Sequence, residues 1–234
     1  MHDSDPPSEP PAHKGWHSRG YLPHFDSPDL IQAITFRLVD ALPRHVVEAL
    51  ANDIEADADR RDRVEAFLNA GYGACYLADP RIGSLVEEAM LYWDMHRYRL
   101  LAWVVMPNHV HAVLETVEGH PLSEVLQAWK SYTAKAANRL LGRDGSFWHP
   151  DYFDRFIRDE RHLARAVDYV HWNPVRAGLV DDPVGPIRAP GCHHVFPAVG
   201  RERGGNDRLY LDHVARKQRC LACYGSTRAA GTGA

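Results

Sequence analysis

No run in the 234-residue chain approaches the roughly 18 consecutive apolar residues that a membrane-spanning helix needs. Cysteine is sparse as well. Cys75, Cys192, Cys220 and Cys223 are too few and too unevenly placed for a disulfide framework, and one Cys-x-x-Cys without a second tight pair is a weak basis for a zinc site. The acidic, proline-rich start, MHDSDPPSEPPAHKG, lacks the basic-then-apolar order of a secretory leader. A soluble cytoplasmic protein with no membrane partner is therefore expected. There is no internal repeat. Positive charge is not in excess either: 27 Lys and Arg against 31 Asp and Glu give a net charge of -4, which by itself argues against nucleic-acid binding, since phosphate contacts need Lys and Arg and usually leave a basic domain. The charges are unevenly spread, however. Asp53, Glu55, Asp57, Asp59, Asp62 and Glu65 crowd the first third, whereas Lys130, Lys135, Arg139, Arg143, Arg155, Arg158, Arg161 and Arg165 come later. What the chain does have is an ordinary apolar fraction of 45%, enough for one main domain with a buried core.

Residues 1–17 carry proline, serine and charge with little apolar content and are expected to be a disordered arm ahead of a domain over 18–180. The first regular element is a strand over 32–39, where β-branched and aromatic residues alternate with smaller ones. Apolar residues at helical spacing over 45–68 predict one long helix or two broken ones, and the same spacing predicts a helix over 82–93. Two β-rich runs, 98–106 and 110–115, flank Pro107-Asn108 as a hairpin. An amphipathic helix over 122–141 ends at Gly142, a strand follows over 153–157, and a helix over 160–172 is expected to break at Asn173-Pro174. This order suits an α+β fold with helices packed on an antiparallel sheet. From 181 to 234 the chain turns rich in Pro, Gly and Arg, which reads as a divergent, partly disordered basic tail with a short helix near 209–221.

The chemistry concentrates in two places. Residues two apart on a strand share a face, so His109 and His111 project together and can share a metal ion. An isolated His-x-His is more often ordinary solvated surface, and the spacing alone does not decide. On the later helix, Tyr169 and Asn173 are four apart and share a face, placing a hydroxyl nucleophile beside an amide oxygen able to bind a hard cation. A phenol with a pKa near 10 needs help at neutral pH, and a metal that polarises a phosphate supplies it. The alternatives are a core-packed tyrosine and an asparagine that merely ends a helix.

Pro-Asn-His109-Val-His111, then Trp129-Lys-Ser-Tyr132, Phe147-Trp148, Tyr152-Phe-Asp-Arg155 and Tyr169-Val-His-Trp-Asn173-Pro-Val-Arg-Ala-Gly-Leu179 together resemble the REP-associated tyrosine transposases. These are single-tyrosine HUH transposases of insertion sequences. Arg19-Gly-Tyr-Leu-Pro-His-Phe-Asp26 and Ile34-Thr-Phe-Arg37 resemble the start of one branch. The resemblance covers roughly 16–180, and the tail departs from it. It implies a ferredoxin-like HUH domain that binds single-stranded DNA with imperfect hairpins, of the repetitive extragenic palindrome type, and cleaves beside them. His109 and His111 would be metal ligands, Asn173 a third, Tyr169 the nucleophile forming a 5′-phosphotyrosine link, and the ion Mg²⁺ or Mn²⁺. Relaxases place the tyrosine before the histidines, the reverse of the order here. Tyr152 is the rival nucleophile, but no suitable amide lies four residues on.

For DNA contact, Lys130, Lys135, Arg139, Arg155 and Arg158 are candidates for phosphates. Trp129, Trp148 and Tyr152 are candidates for stacking on unpaired bases, with core packing as the alternative for Trp129. By the resemblance, the segment before the first strand reads flanking bases, with Arg19, Tyr21 and His24 as candidates. A monomer is slightly favoured over a homodimer. Two other functions stay open: a domesticated DNA-hairpin binder with little catalysis, and an unrelated metal-dependent phosphoesterase.

Overall fold

A computed structural model describes residues 13–18, 23–28, 30–51, 57–182 and 193–195. In chain order its elements are β1 (Gly15–Ser18), β2 (Pro23–Asp26), β3 (Ile31–Arg37), α1 (Arg44–Ala51), α2 (Asp57–Asn69) and a short 3-10 turn (Tyr76–Ala78). Next come α3 (Pro80–Leu91), β4 (Tyr98–Val105), β5 (His109–Thr116), α4 (Leu122–Leu141), β6 (Phe153–Phe156), α5 (Glu160–Arg176) and β7 (His193–Val195). The main sheet has the order β6-β3-β5-β4-β7, and every neighbouring pair is antiparallel. Strand β5 thus lies between β3 and β4, while β3 lies between β5 and β6. Two interleaved β-α-β units of this kind are the ferredoxin-like arrangement, and the α+β expectation holds.

The alternation of each strand separates two apolar layers. Ile34, Phe36, Val110, Ala112 and Leu114 face α3 and α4 in the larger core, which Trp129 joins. Met106, Val104 and Val113 face the other way, against Val167 and Val170 of α5. The register pairs Thr35 with His111 and Arg37 with His109. Both histidines therefore lie on the α5 side of the sheet. No helix among the described residues is long and apolar enough to cross a membrane.

Several boundaries differ from the expectations. The region 45–68 forms two helices, one of the two alternatives expected there. A small hairpin, β1 with β2, lies ahead of the main sheet and begins inside the arm expected to be disordered over 1–17. The region beyond 181 contributes β7, which adds three residues to the edge of β4; the helix expected near 209–221 lies outside the described residues. The most consequential correction concerns α5, which does not break at Asn173-Pro174 but runs through Pro174 to Arg176. A proline this near the helix end interferes with only one carbonyl, that of Val170. The last turn is secured instead by Ala177 N–H to the Asn173 carbonyl (2.9 Å) and Leu179 N–H to the Pro174 carbonyl (2.9 Å). Asn173 and Arg176 thereby keep helical register with Tyr169.

The small hairpin is held by a buried ion cluster. His24 is 1% exposed, with Nδ1 on Asp154 and Nε2 3.1 Å from Asp151. Its ring also lies 4.5 Å from that of Tyr152. Burial works against the charged ring, but the two aspartates prevail and hold its pKa up at about 9. Because the folded-state value lies above the unfolded value of 6.5, this stabilisation is complete below pH 6.5 and is lost as pH rises through about 9. Chemical denaturation midpoints should accordingly fall between those pH values. A His24→Gln variant should start lower, by about 3 kcal/mol for a broken buried pair, and its alkaline decline should flatten. An unchanged slope in the variant would show that another group controls the decline.

Candidate active site

Strand β5 opens directly after the Met106-Pro107-Asn108 turn, and three backbone bonds fix that turn. Met106 N–H donates to the His109 carbonyl (2.8 Å), Leu77 N–H to Pro107 (3.1 Å) and Leu38 N–H to Asn108 (2.9 Å). The Asn108 amide nitrogen donates to the Tyr72 carbonyl at 2.9 Å, so its oxygen faces His109 Nδ1 at 2.7 Å and accepts. The proton of His109 is thus placed on Nδ1, and the Nε2 lone pair is left free. Across the sheet, the Thr35 hydroxyl lies 2.8 Å from His111 Nδ1. A hydroxyl can donate or accept, so Thr35 serves either tautomer of His111.

The two Nε2 atoms converge at 2.9 Å on the α5 side of the sheet. They meet a residue that motif reading had not assigned. Glu65 Oε1 is 3.0 Å from His111 Nε2 and 3.9 Å from His109 Nε2. Glu65 comes from α2, where Val64 and Leu68, one turn apart, are buried in the core. The next residue round the helix after Val64 is then turned to the margin of that core, facing the histidines. An acidic side chain beside a buried i, i+4 apolar pair was the available signal, hidden among the many acids of this stretch.

The donor set fits a divalent cation. Ligand atoms of Glu65, His109 and His111 lie within 4.8 Å of one another, and both histidines are buried. Asn173 adds a fourth donor: its nitrogen donates to Glu65 Oε1 at 3.1 Å, while its Oδ1 is buried with no hydrogen-bond partner. An unsatisfied buried carbonyl oxygen on a residue bonded to that carboxylate is what a cation would complete. Electrostatics agree. Burial alone would raise the Glu65 pKa, but His111, His109 and Tyr169 hold it well below the usual carboxylate range. Burial and His111 push His109 down to about 3, so its ring is neutral and available as a ligand.

Tyr169 stands beside this cluster. Its ring meets that of His111 edge-on at 5.4 Å, and Glu65 and Asn173 both act on its phenol. Burial and then Glu65 drive the phenol pKa well above its ordinary value, whereas Arg176 and Asn173 act against the rise. The Arg176 guanidinium lies 5.0 Å from the centre of the Tyr169 ring. These groups open onto a cleft of about 720 Å³ whose walls include Arg155, Arg165 and Arg176.

The expected DNA-contact residues are scattered. Arg155 is exposed and lines the cleft. Arg158 is exposed beyond β6, with its guanidinium 5.4 Å from the Phe156 ring. Lys135 and Arg139 are exposed on α4, in the layer across the sheet from α5, and the half-buried Lys130 donates to the Pro150 carbonyl at 2.8 Å. Two expectations need correction. His24 is consumed by its aspartates and has no surface left for a base. Trp148 is 6% exposed, donates its Nε1 proton to Thr133 Oγ1 at 2.9 Å and packs 4.9 Å from Phe36, so it is a core residue and not a stacking platform. Trp129 and Tyr152 are likewise buried in the core. Arg19 and Tyr21 lie outside the described residues.

The family model described as "Transposase IS200 like" matches residues 79–173, a stretch that contains His109, His111, Tyr169 and Asn173 but not Glu65. A REP-associated tyrosine transposase of Escherichia coli K12 is 29% identical over 83 residues, covering 36% of this chain and 48% of its own length. A Haemophilus influenzae protein named for the same transposases is 24% identical over 98 residues, covering 38% of this chain and 56% of its own. The chain thus spans about half the length of the curated relatives it matches. A solved structure of a REP-associated tyrosine transposase bound to a REP hairpin is similar over 70% of this chain and 78% of its own, at 18% identity and a TM-score of 0.44. Residues 79–173 are thus similar to the IS200-like transposases, and the curated relatives of this chain are named as REP-associated tyrosine transposases.

Proposed function

We propose that this protein is a metal-dependent single-strand DNA endonuclease and strand transferase that acts beside DNA hairpins through a 5′-phosphotyrosine intermediate on Tyr169. The observation that carries this reading is the placement of Tyr169, edge-on to His111 and lining the same cleft as the Glu65 that completes the ligand cluster. Nucleophile and metal donors converge within one chain, which favours a site formed without exchange of helices and a working monomer.

Each residue then has a task. His109, His111, Glu65 and Asn173 would hold the ion, and Asn108 and Thr35 orient the two imidazoles. With both nitrogen and oxygen donors, the set suits Mn²⁺ and tolerates Mg²⁺. When bound, the ion polarises the scissile phosphate and stabilises charge developing there. Tyr169 supplies the attacking oxygen: its O–P bond forms as the P–O3′ bond breaks, the phenol proton leaves to water, and the 3′ oxygen takes one up. The phosphotyrosine keeps the bond energy, so a 3′-hydroxyl can reverse the step and rejoin strands without a nucleotide cofactor. Arg155, on the cleft wall, is placed to meet the backbone of the strand.

The test is incubation of the full chain with labelled single-stranded oligonucleotides carrying imperfect palindromes, with Mn²⁺ or Mg²⁺. The expected result is a covalent protein–DNA adduct whose modified peptide contains Tyr169, absent when the ion is chelated. Cleavage without an adduct would instead support a phosphoesterase, and tight hairpin binding without cleavage a regulatory binder.

A further inference from the structure

Helix α5 carries more than the nucleophile and the amide. Positions 162, 165, 169, 173 and 176 recur at three- and four-residue steps, so His162, Arg165, Tyr169, Asn173 and Arg176 form one stripe. All but the fully buried Asn173 line the cleft. The cations on this stripe are not equivalent. Arg165 lies one turn before Tyr169 and, with Arg155, acts on His162, lowering its pKa after burial has done so. Arg176 lies two turns after Tyr169, about 10 Å along the axis, yet its guanidinium folds back to 5.0 Å from the phenol ring. It is exposed and lines the cleft. Its backbone is held by the continuation of α5 through Pro174 and by the bonds that close the helix at Ala177 and Gly178 (2.9 Å each).

From this placement we infer that Arg176 is a further catalytic residue, whose guanidinium neutralises the charge that builds on the scissile phosphate while Tyr169 attacks it. The inference rests on the proposed nucleophilic role of Tyr169. A phosphodiester carries one negative charge, and attack by the phenol oxygen adds electron density to the non-bridging oxygens until the P–O3′ bond breaks. An ion held by the histidine cluster would supply part of that neutralisation. The guanidinium stacked on the attacking ring meets it from the side of the nucleophile, with a planar fork suited to two phosphate oxygens. Arg155 and Arg165, grouped about His162, are left to hold the neighbouring backbone. An arginine in the last turn of a helix also favours the helix dipole, so a purely structural role is the rival reading.

The two roles separate when the charge of the phosphate is removed. Wild-type protein and the Arg176→Ala, Arg176→Lys and Arg165→Ala variants are incubated with Mn²⁺ and a hairpin oligonucleotide whose cleaved linkage has been mapped with the wild type. The same oligonucleotide with a neutral methylphosphonate at that one linkage is run alongside, and hairpin affinity and thermal unfolding are measured for each variant. On the ordinary phosphate, Arg176→Ala is expected to slow adduct formation by about 10²–10³-fold, the usual cost of one donor to a developing anion. Its hairpin affinity should change far less, and Arg176→Lys should recover part of the rate. On the methylphosphonate most of the Arg176→Ala deficit should disappear, because no anion is left for the arginine to neutralise. Arg165→Ala should weaken binding and show no such rescue. Adduct formation by Arg176→Ala at the wild-type rate, or an equal deficit on both linkages, overturns the assignment while leaving Tyr169 in place. An adduct that persists in Tyr169→Phe, or a wild type that forms none, overturns the underlying reading and this one with it.

Discussion

Tyr169→Phe is expected to abolish the covalent protein–DNA adduct while leaving the fold and hairpin binding intact. The substitution removes one oxygen, and that oxygen is the only atom of the side chain able to attack phosphorus. The loss should exceed about 10⁴-fold, as for removal of the nucleophile from other covalent catalysts. The fold should tolerate it. The half-buried ring keeps its edge contact with His111, and Glu65 keeps its partners His111 and Asn173. Loss of the phenol's polar interactions should cost only about 1 kcal/mol, visible as a small shift in thermal unfolding. Tyr152→Phe is the control, since Tyr152 is 3% exposed within the larger core and its ring lies tilted against that of His24, away from the ligand cluster. It should form adduct normally. Loss of the adduct in Tyr152→Phe but not in Tyr169→Phe would transfer the nucleophile to the earlier residue.

Glu65→Ala is expected to cost the protein its metal affinity as well as its activity, although Glu65 lies outside the segment matched by the family model. The carboxylate is the only formally charged donor in the cluster. Losing it should weaken Mn²⁺ binding by at least the roughly 10–100-fold that loss of a supporting partner costs at metal sites. Calorimetric titration with Mn²⁺ reads this without reference to DNA. Glu65→Gln, which keeps an oxygen but no charge, should stay close to Glu65→Ala. Wild-type affinity in either variant would remove Glu65 from the ligand set. Acid should act in the same direction. Because His109 has a folded-state value of about 3, below its unfolded value of 6.5, the unfolded chain takes up the proton first. Stability therefore declines as pH falls from 6.5 towards 3. Glu65, whose pKa is also depressed, adds a contribution that is present above the ordinary carboxylate range and lost on further acidification.

How much of this could be read from the chain differs by element. Helix α4 ends where Gly142, at φ 62, adopts the left-handed conformation that terminates helices. The strand spacing of His109 and His111 fixed their common face, because alternation is a property of the strand itself. Asn173 beside Tyr169 followed from the four-residue helical repeat, and in the structure the helix continues past the proline expected to stop it. That misreading had a consequence: with α5 ended before Asn173, Arg176 had no assignable face, whereas the continued helix puts it back on the nucleophile's stripe. Trp148 and His24 failed for a different reason. An aromatic ring and an imidazole can serve a surface or a core, and only their neighbours, Thr133 and Phe36 in one case and two aspartates in the other, decide between them.

The histidine pair, the tyrosine and the amide four residues after it were thus determined by local sequence, since strand and helix periodicities need no knowledge of what lies across the sheet. Tertiary structure alone decided that α5 meets the histidine face, that Glu65 closes the ligand cluster, that Asn108 and Thr35 orient the imidazoles, and that Arg176 lies on the phenol ring. Each of these depends on contacts between residues far apart in the chain, such as Thr35 with His111 and Glu65 with Asn173. No local propensity encodes such a distance; it is set by which strands pair and which helix faces can bury their apolar residues together.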